Sequence, residues 1–141
     1  MNINRSPFEL TYVLSPNHAT LCDLQKLDQE FGKLLEPKDS LSYLRCQRMK
    51  ICIDSKINLF RMVECRDMVI SLNSVVSGIE ICNCIDIVVS IDSYASDFYS
   101  IPINIVITNS NVEINIPDNY RQYVSSVKSN IRFVVPGTCK I

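Results

Sequence analysis

The ten residues CRDMVISLNS, Cys65 to Ser74, have a near-copy on either side of themselves. CQRMKICIDS begins at Cys46 and CIDIVVSIDS at Cys84, so the three copies start at equal intervals. Counted from each cysteine, position three holds Met49, Met68 and Ile87, position five Ile51, Ile70 and Val89, and position seven Ile53, Leu72 and Ile91. Positions eight and nine hold Asp54-Ser55, Asn73-Ser74 and Asp92-Ser93. Position eleven holds Ile57, Val76 and Ala95, and position fourteen Phe60, Ile79 and Phe98. Agreement at so many places marks a true repeat. A unit of this length cannot close its own core, so it must stack on its neighbours as a solenoid. Residues three, five and seven share one strand face, and on successive rungs their equivalents lie about 4.8 Å apart. The Asp-Ser and Asn-Ser pairs are expected to turn the corners by bonding local backbone. The expected fold is mainly β: a short right-handed parallel β-helix with rungs of about 19 residues.

Either side of the repeat the texture changes. Residues 18–36 place Leu21, Leu24, Leu27, Phe31, Leu34 and Leu35 at three- and four-residue steps before Pro37, which predicts an amphipathic helix. Phe8, Leu10, Tyr12 and Leu14 alternate as in a strand. SIPINIVITNS predicts a fourth rung with Ile103, Ile105 and Ile107 inside, following Ile87, Val89 and Ile91 at a little less than one full period. NVEINIP and NIRFVVPG are expected to form a closing pair of strands. The chain thus divides into 1–40, a strand and capping helix; 41–111, the rungs; and 112–141, closing strands and tail. A stack of parallel strands has open ends that need cover. Val112, Ile114, Ile116, Pro117, Tyr120, Ile131, Phe133 and Val135 are expected either to cap their own stack or to cross to a second copy, and a homodimer is favoured.

The composition narrows the function classes. A net charge of -1 with 21% charged residues lacks the basic excess of a nucleic-acid or membrane binder. No apolar run approaches the roughly 20 residues of a bilayer span, and MNINRSPFEL has no apolar core of a signal peptide. The expectation is a cytoplasmic chain whose seven cysteines, Cys22, Cys46, Cys52, Cys65, Cys82, Cys84 and Cys139, are free thiols. Cys82-Asn83-Cys84 is C-x-C and His18 is the one histidine, so no zinc spacing is present. With no Trp and no glycine-rich phosphate loop, there is little to build catalysis from. No enzyme activity, metal or cofactor is expected. Outward columns of Arg48, Asp67 and Asp86, of Lys50, Val69 and Val88, and of Arg61, Glu80 and Tyr99 read in two ways. They are either solvated charge ladders or a flat docking face, with Val69 and Val88 beside Ile85 as its apolar centre.

The rungs VECRDMVISL and GIEICNCIDIVVSI, with the tail EINIPDNYRQYVSSVKSNIRFVVPG, resemble the C-terminal β-helical domain of cyclase-associated proteins. These are actin-monomer regulators whose fold is shared in outline with tubulin-folding cofactor C. Pro117, Asp118 and Tyr120 match the family's strand–Pro–acidic–x–aromatic ending, and Ile131 to Val135 stand where its final strand would be. That tail separates the two branches. The resemblance covers residues 41–141, and residues 1–40 stand where the family has further rungs. It implies tail strands exchanged in a homodimer, binding of ADP-actin monomers, and release of their nucleotide in a cytoskeleton-associated setting. Arg48, Lys50, Asp67, Asp86, Thr138, Lys140 and Ile141 would then meet actin, by position and not by motif. The runner-up is a cofactor C-like GTPase activator inserting Arg48 or Arg45. A third reading is a scaffold with no nucleotide involved.

Overall fold

The computed structural model describes residues 12–15, 17–91, 104–116 and 131–140. They hold eleven strands: β1 (Tyr12–Ser15), β2 (His18–Cys22), β3 (Asp28–Glu30), β4 (Ser40–Leu44), β5 (Gln47–Val63), β6 (Arg66–Cys82), β7 (Ile85–Ile91), β8 (Asn104–Thr108), β9 (Asn111–Asn115), β10 (Ile131–Val135) and β11 (Thr138–Lys140). No helix occurs among the described residues. The chain winds as a parallel β-solenoid. One ladder runs through β2, β4, the second half of β5, the second half of β6, β8 and β10. The other runs through β3, the first half of β5, the first half of β6, β7, β9 and β11.

The repeated residues superpose as their spacing requires. Met49 pairs with Met68 and Met68 with Ile87, while Ile51, Ile70 and Val89 pair in the next column. Ile53, Leu72 and Ile91 follow. All nine are at most 2% exposed. From the opposite ladder Leu41, Tyr43, Phe60, Met62, Ile79 and Ile81 face them, all at most 1% exposed. Each such side chain stabilises the fold by about 1.5–3 kcal/mol through burial. The two inner faces touch: Tyr43 Oη donates to Gln29 Oε1 at 2.6 Å across the core.

The tight corner joins the first ladder to the second at Asp23-Leu24, Arg45-Cys46, Glu64-Cys65, Asn83-Cys84 and Asn109-Ser110. Asp23, Arg45, Glu64, Asn83 and Asn109 all take left-handed backbone, with φ between 46° and 58°. The backbone bonds continue through the corner, as in Arg66 N–H to Cys46 O and Ile85 N–H to Cys65 O, each 3.0 Å. The opposite corner is different. There β5 and β6 bend without a break, and the register slips between Ile53 and Lys56 and between Ile57 and Leu59. Asp54-Ser55 and Asn73-Ser74 sit at this slip and not in closed turns. The slip pairs Ile57 with Val75, so Val75 is buried and Val76 is 43% exposed, against the expected equivalence of Ile57 and Val76.

The predicted helix over residues 18–36 is absent. Leu21 lies inside β2, Leu24 and Leu27 flank the tight corner half-buried, Phe31 and Leu35 are buried, and Leu34 is exposed. Corners interpose residues between inward positions, so a coil of solenoid imitates a three-to-four period. Five paired positions against β4, His18↔Ser40 through Cys22↔Leu44, outweigh local helix propensity. This segment is therefore a further coil, and cover at its end comes from β1, antiparallel to β2. Phe8 and Leu10 lie outside the described residues.

The far end also departs from expectation. Ile105 and Ile107 pair with Ile79 and Ile81, not with Val89 and Ile91. Val112 and Ile114 are the residues that stack on Ile87 and Val89, and they are 5% and 1% exposed. β10 lies on β8 and β11 on β9, all parallel and within one chain. The strands expected to close the stack by pairing with each other instead continue its two ladders. Ile131 and Phe133 register with Ile105 and Ile107, Ile116 packs half-buried on the core, and Val135 is 41% exposed. Ile103, Pro117 and Tyr120 lie outside the described residues.

Candidate docking face

Along the second ladder, side chains alternate between core and solvent because successive strand residues point to opposite faces. The outward column reads Asp28, Lys50, Val69, Val88, Glu113 and Lys140, each in register with the next. Val69 is 42% exposed, and Ile85, at the tight-corner end of β7, is 44% exposed. This is the apolar centre expected from sequence. The adjoining outward column, Cys52, Ser71 and Ser90, is polar and small.

Arg48, Asp67 and Asp86 occupy one column at the edge of this face, the second residue of β5, β6 and β7 after the tight corner. All three have left-handed backbone, with φ of 55°, 54° and 57°. Asp accepts that conformation through its short polar side chain, whereas most residues lose about 1–2 kcal/mol there. Asp67 and Asp86 border an open depression of about 350 Å³ whose other walls include Val69, Val88, Glu113 and Thr138. Lys50 borders a second depression of about 210 Å³ with Asp28, Glu30 and Cys52, and Val69 lines both. Five of the seven residues named from sequence, Lys50, Asp67, Asp86, Thr138 and Lys140, thus share one face. Arg48 stands at its edge, and Ile141 lies outside the described residues. Glu113 and Asn111 were missed. Their signal is the alternation of NVEINIP, which becomes legible once that strand is stacked on β7.

The opposite face is chemically plainer. Arg61 and Glu80 form an ion pair at 3.8 Å, each about half exposed, worth at most about 1 kcal/mol. The next residues of that column are Val106 and Arg132, where sequence suggested Tyr99, which lies outside the described residues. Among the described residues no group of three His, Cys, Asp or Glu side chains is placed to hold a metal ion. All seven cysteines are free thiols.

Arg45, one candidate for an inserted arginine, is engaged within the chain. Its Nε and Nη2 donate to the two Asp23 carboxylate oxygens at 2.9 and 3.3 Å. These bonds hold the Asp23 carboxyl below its usual range. A depressed folded-state pKa stabilises the fold above the unfolded value, and that contribution disappears as pH falls through the folded value. In the Arg45→Ala chain, the Asp23 carboxyl carbon should titrate upward into the ordinary carboxylate range by NMR. An unchanged titration would show that the guanidinium does not set it.

A family model described as "Adenylate cyclase associated (CAP) C terminal" matches residues 32–134. The chain belongs to this family. Its fold is similar to the crystal structure of cyclase-associated protein from Cryptosporidium parvum, with a TM-score of 0.65 and 15% identity. That likeness covers 92% of this chain and 75% of the other. At such identity it speaks for the fold alone. A comparison with curated protein sequences finds no match. For this CAP C-terminal chain the family match begins at residue 32, so β2 and β3 precede it, yet they form a coil of the same solenoid. Among the described residues no helix is long and apolar enough to cross a membrane.

Proposed function

We infer that this CAP C-terminal chain is an actin-monomer regulator that docks through the outward face of its second ladder and promotes loss of bound ADP. The observation that carries this reading is one surface. Exposed Val69 and Ile85 lie among Asp67, Asp86 and Glu113 on a ladder whose inner side is fully packed. A preordered face of this kind binds with little loss of conformational freedom. No bond need be made or broken. A factor that holds the open-cleft form of actin better than the closed one shifts the population toward nucleotide release. Cytoplasmic, cytoskeleton-associated placement goes with that partner.

The direct test follows release of a fluorescent nucleotide from ADP-actin. The parent chain should accelerate it. Asp86→Lys should weaken actin binding about tenfold or more, the equivalent of about 1.4 kcal/mol. Arg61→Ala, on the opposite face, should leave binding unchanged. Absence of any binding to monomeric actin sinks the proposal.

A homodimer is part of the same reading. The outer edges of β10 and β11 pair with no strand among the described residues, and Val134 and Val135 are 66% and 41% exposed. Pairing of those ends with a second copy would cover both the open backbone and the valines. Light scattering should give twice the chain mass for the parent and a monomer for Val134→Asp. A parent that is monomeric at micromolar concentration removes the dimer from the proposal.

A further inference from the structure

Leu24, Cys46, Cys65, Cys84, Ser110 and Gly137 form one column at the tight corner, fixed by the successive backbone bonds Gln47 N–H to Leu24 O, Arg66 N–H to Cys46 O, Ile85 N–H to Cys65 O, Asn111 N–H to Cys84 O and Thr138 N–H to Ser110 O. Three consecutive members are thiols, 1%, 2% and 0% exposed. The corner's own needs are modest. Ser110 Oγ accepts from Cys84 N–H at 2.9 Å and donates to Thr108 O at 2.8 Å. Cys84 Sγ makes the same two bonds one rung down, accepting from Cys65 N–H at 3.4 Å and donating to Cys82 O at 3.3 Å. A hydroxyl therefore suffices for the corner, and the thiols bring chemistry that the corner does not require.

We propose that Cys65 and Cys84 are a redox site, closed by a peroxide-class oxidant into a disulfide that staples two neighbouring rungs. In-register rungs lie about 4.8 Å apart, within the roughly 4.4–6.8 Å between Cα atoms that a disulfide accepts. The Cys84 sulfur leans onto the Cys65 rung, as its bond from Cys65 N–H shows. The thiols lie one residue beneath solvent, because Glu64 and Arg66 flank Cys65 and Asn83 and Ile85 flank Cys84, all four of them exposed. The side-chain contact with the Cys65 thiol also holds the Cys84 thiol below its ordinary pKa, while the contacts with the Cys46 and Cys84 thiols, and then burial, push Cys65 upward. Cys84 is accordingly the attacking sulfur.

The chemistry balances. The Cys84 thiolate attacks one peroxide oxygen and the O–O bond breaks. A sulfenic acid forms on Cys84, and the hydroxide released takes up the Cys84 proton to leave as water. The Cys65 sulfur then attacks the sulfenic sulfur, the S–O bond breaks, and the second hydroxide leaves as water with the Cys65 proton. Two thiols are oxidised by two electrons, and one peroxide is reduced to two waters.

The test exposes the whole folded chain to hydrogen peroxide, alkylates remaining thiols, and maps peptides by mass spectrometry with fragment sequencing. A Cys65–Cys84 link is expected, together with a rise in the urea midpoint of the oxidised chain. Cys84→Ser, which keeps the corner's bonds as Ser110 does, should lose both effects. Cys46→Ser should keep both. Recovery of Cys65 and Cys84 alkylated in the peroxide-treated parent overturns the proposal, as does a link only between chains or only at Cys46 or Cys82. The parent map decides the matter even where a variant fails to fold.

Discussion

A Phe60→Ala chain is expected to lose about 3–5 kcal/mol of stability in urea unfolding, the usual cost of emptying a buried aromatic site. Phe60 is 0% exposed and pairs with Leu41 and Ile79 on either side, so it is enclosed along the stack axis as well as across it. Its ring lies 5.7 Å from that of Tyr43, at 38° between planes. The neighbours are held in two ladders of backbone bonds and cannot collapse into the void without breaking register. A domain is typically stable by only about 5–15 kcal/mol, so the variant should stand close to its unfolding threshold. A cost below about 1 kcal/mol would falsify the view that the paired ladders make this core rigid.

The second large effect is expected at Gly78. Its φ is 144°, a conformation that side-chain-bearing residues rarely adopt, and it pairs with Leu59 on one side and Asn104 on the other. A Cβ built there would overlap the Asn104 carbonyl oxygen and come within 2.9 Å of its carbon. These are backbone atoms of β8, so relief requires β8 to move away from β6. Gly78→Ala should therefore cost about 3 kcal/mol or more, from backbone strain plus overpacking. Gly32→Ala is the matched control. It shares positive φ, at 57°, but nothing lies within 4 Å of the added carbon, so only about 1 kcal/mol is expected. Equal losses at the two glycines would mean that the contact with β8 is not what makes Gly78 special.

The period legible in CQRMKICIDS, CRDMVISLNS and CIDIVVSIDS determined that the chain stacks and which residues of those three segments lie inside. Met49, Met68 and Ile87 pair as counted, because an in-register parallel ladder places equal positions over one another. The family likeness was legible too, and the family model matches residues 32–134. What failed was everything that depends on corner length. The coils that bring His18 onto Ser40 and Gly78 onto Asn104 are longer than the central ones. They hide the repeat, since added corner residues change the count without touching the ladders. One coil then imitated a helix, and Ile105 and Ile107 were set over the wrong strand.

The docking face shows the same division. Val69 and Val88 as neighbours, and Asp67 with Asp86, follow from the period alone. Bringing Glu113, Thr138 and Lys140 beside them took the tertiary structure, because corners of unequal length decide which strand lies on which. Local sequence thus specifies the rung, through alternation and the small residue at the tight corner. Only the folded chain specifies the stacking order of unequal rungs, since that order is chosen by the core as a whole, where each inward residue must find its partner above and below.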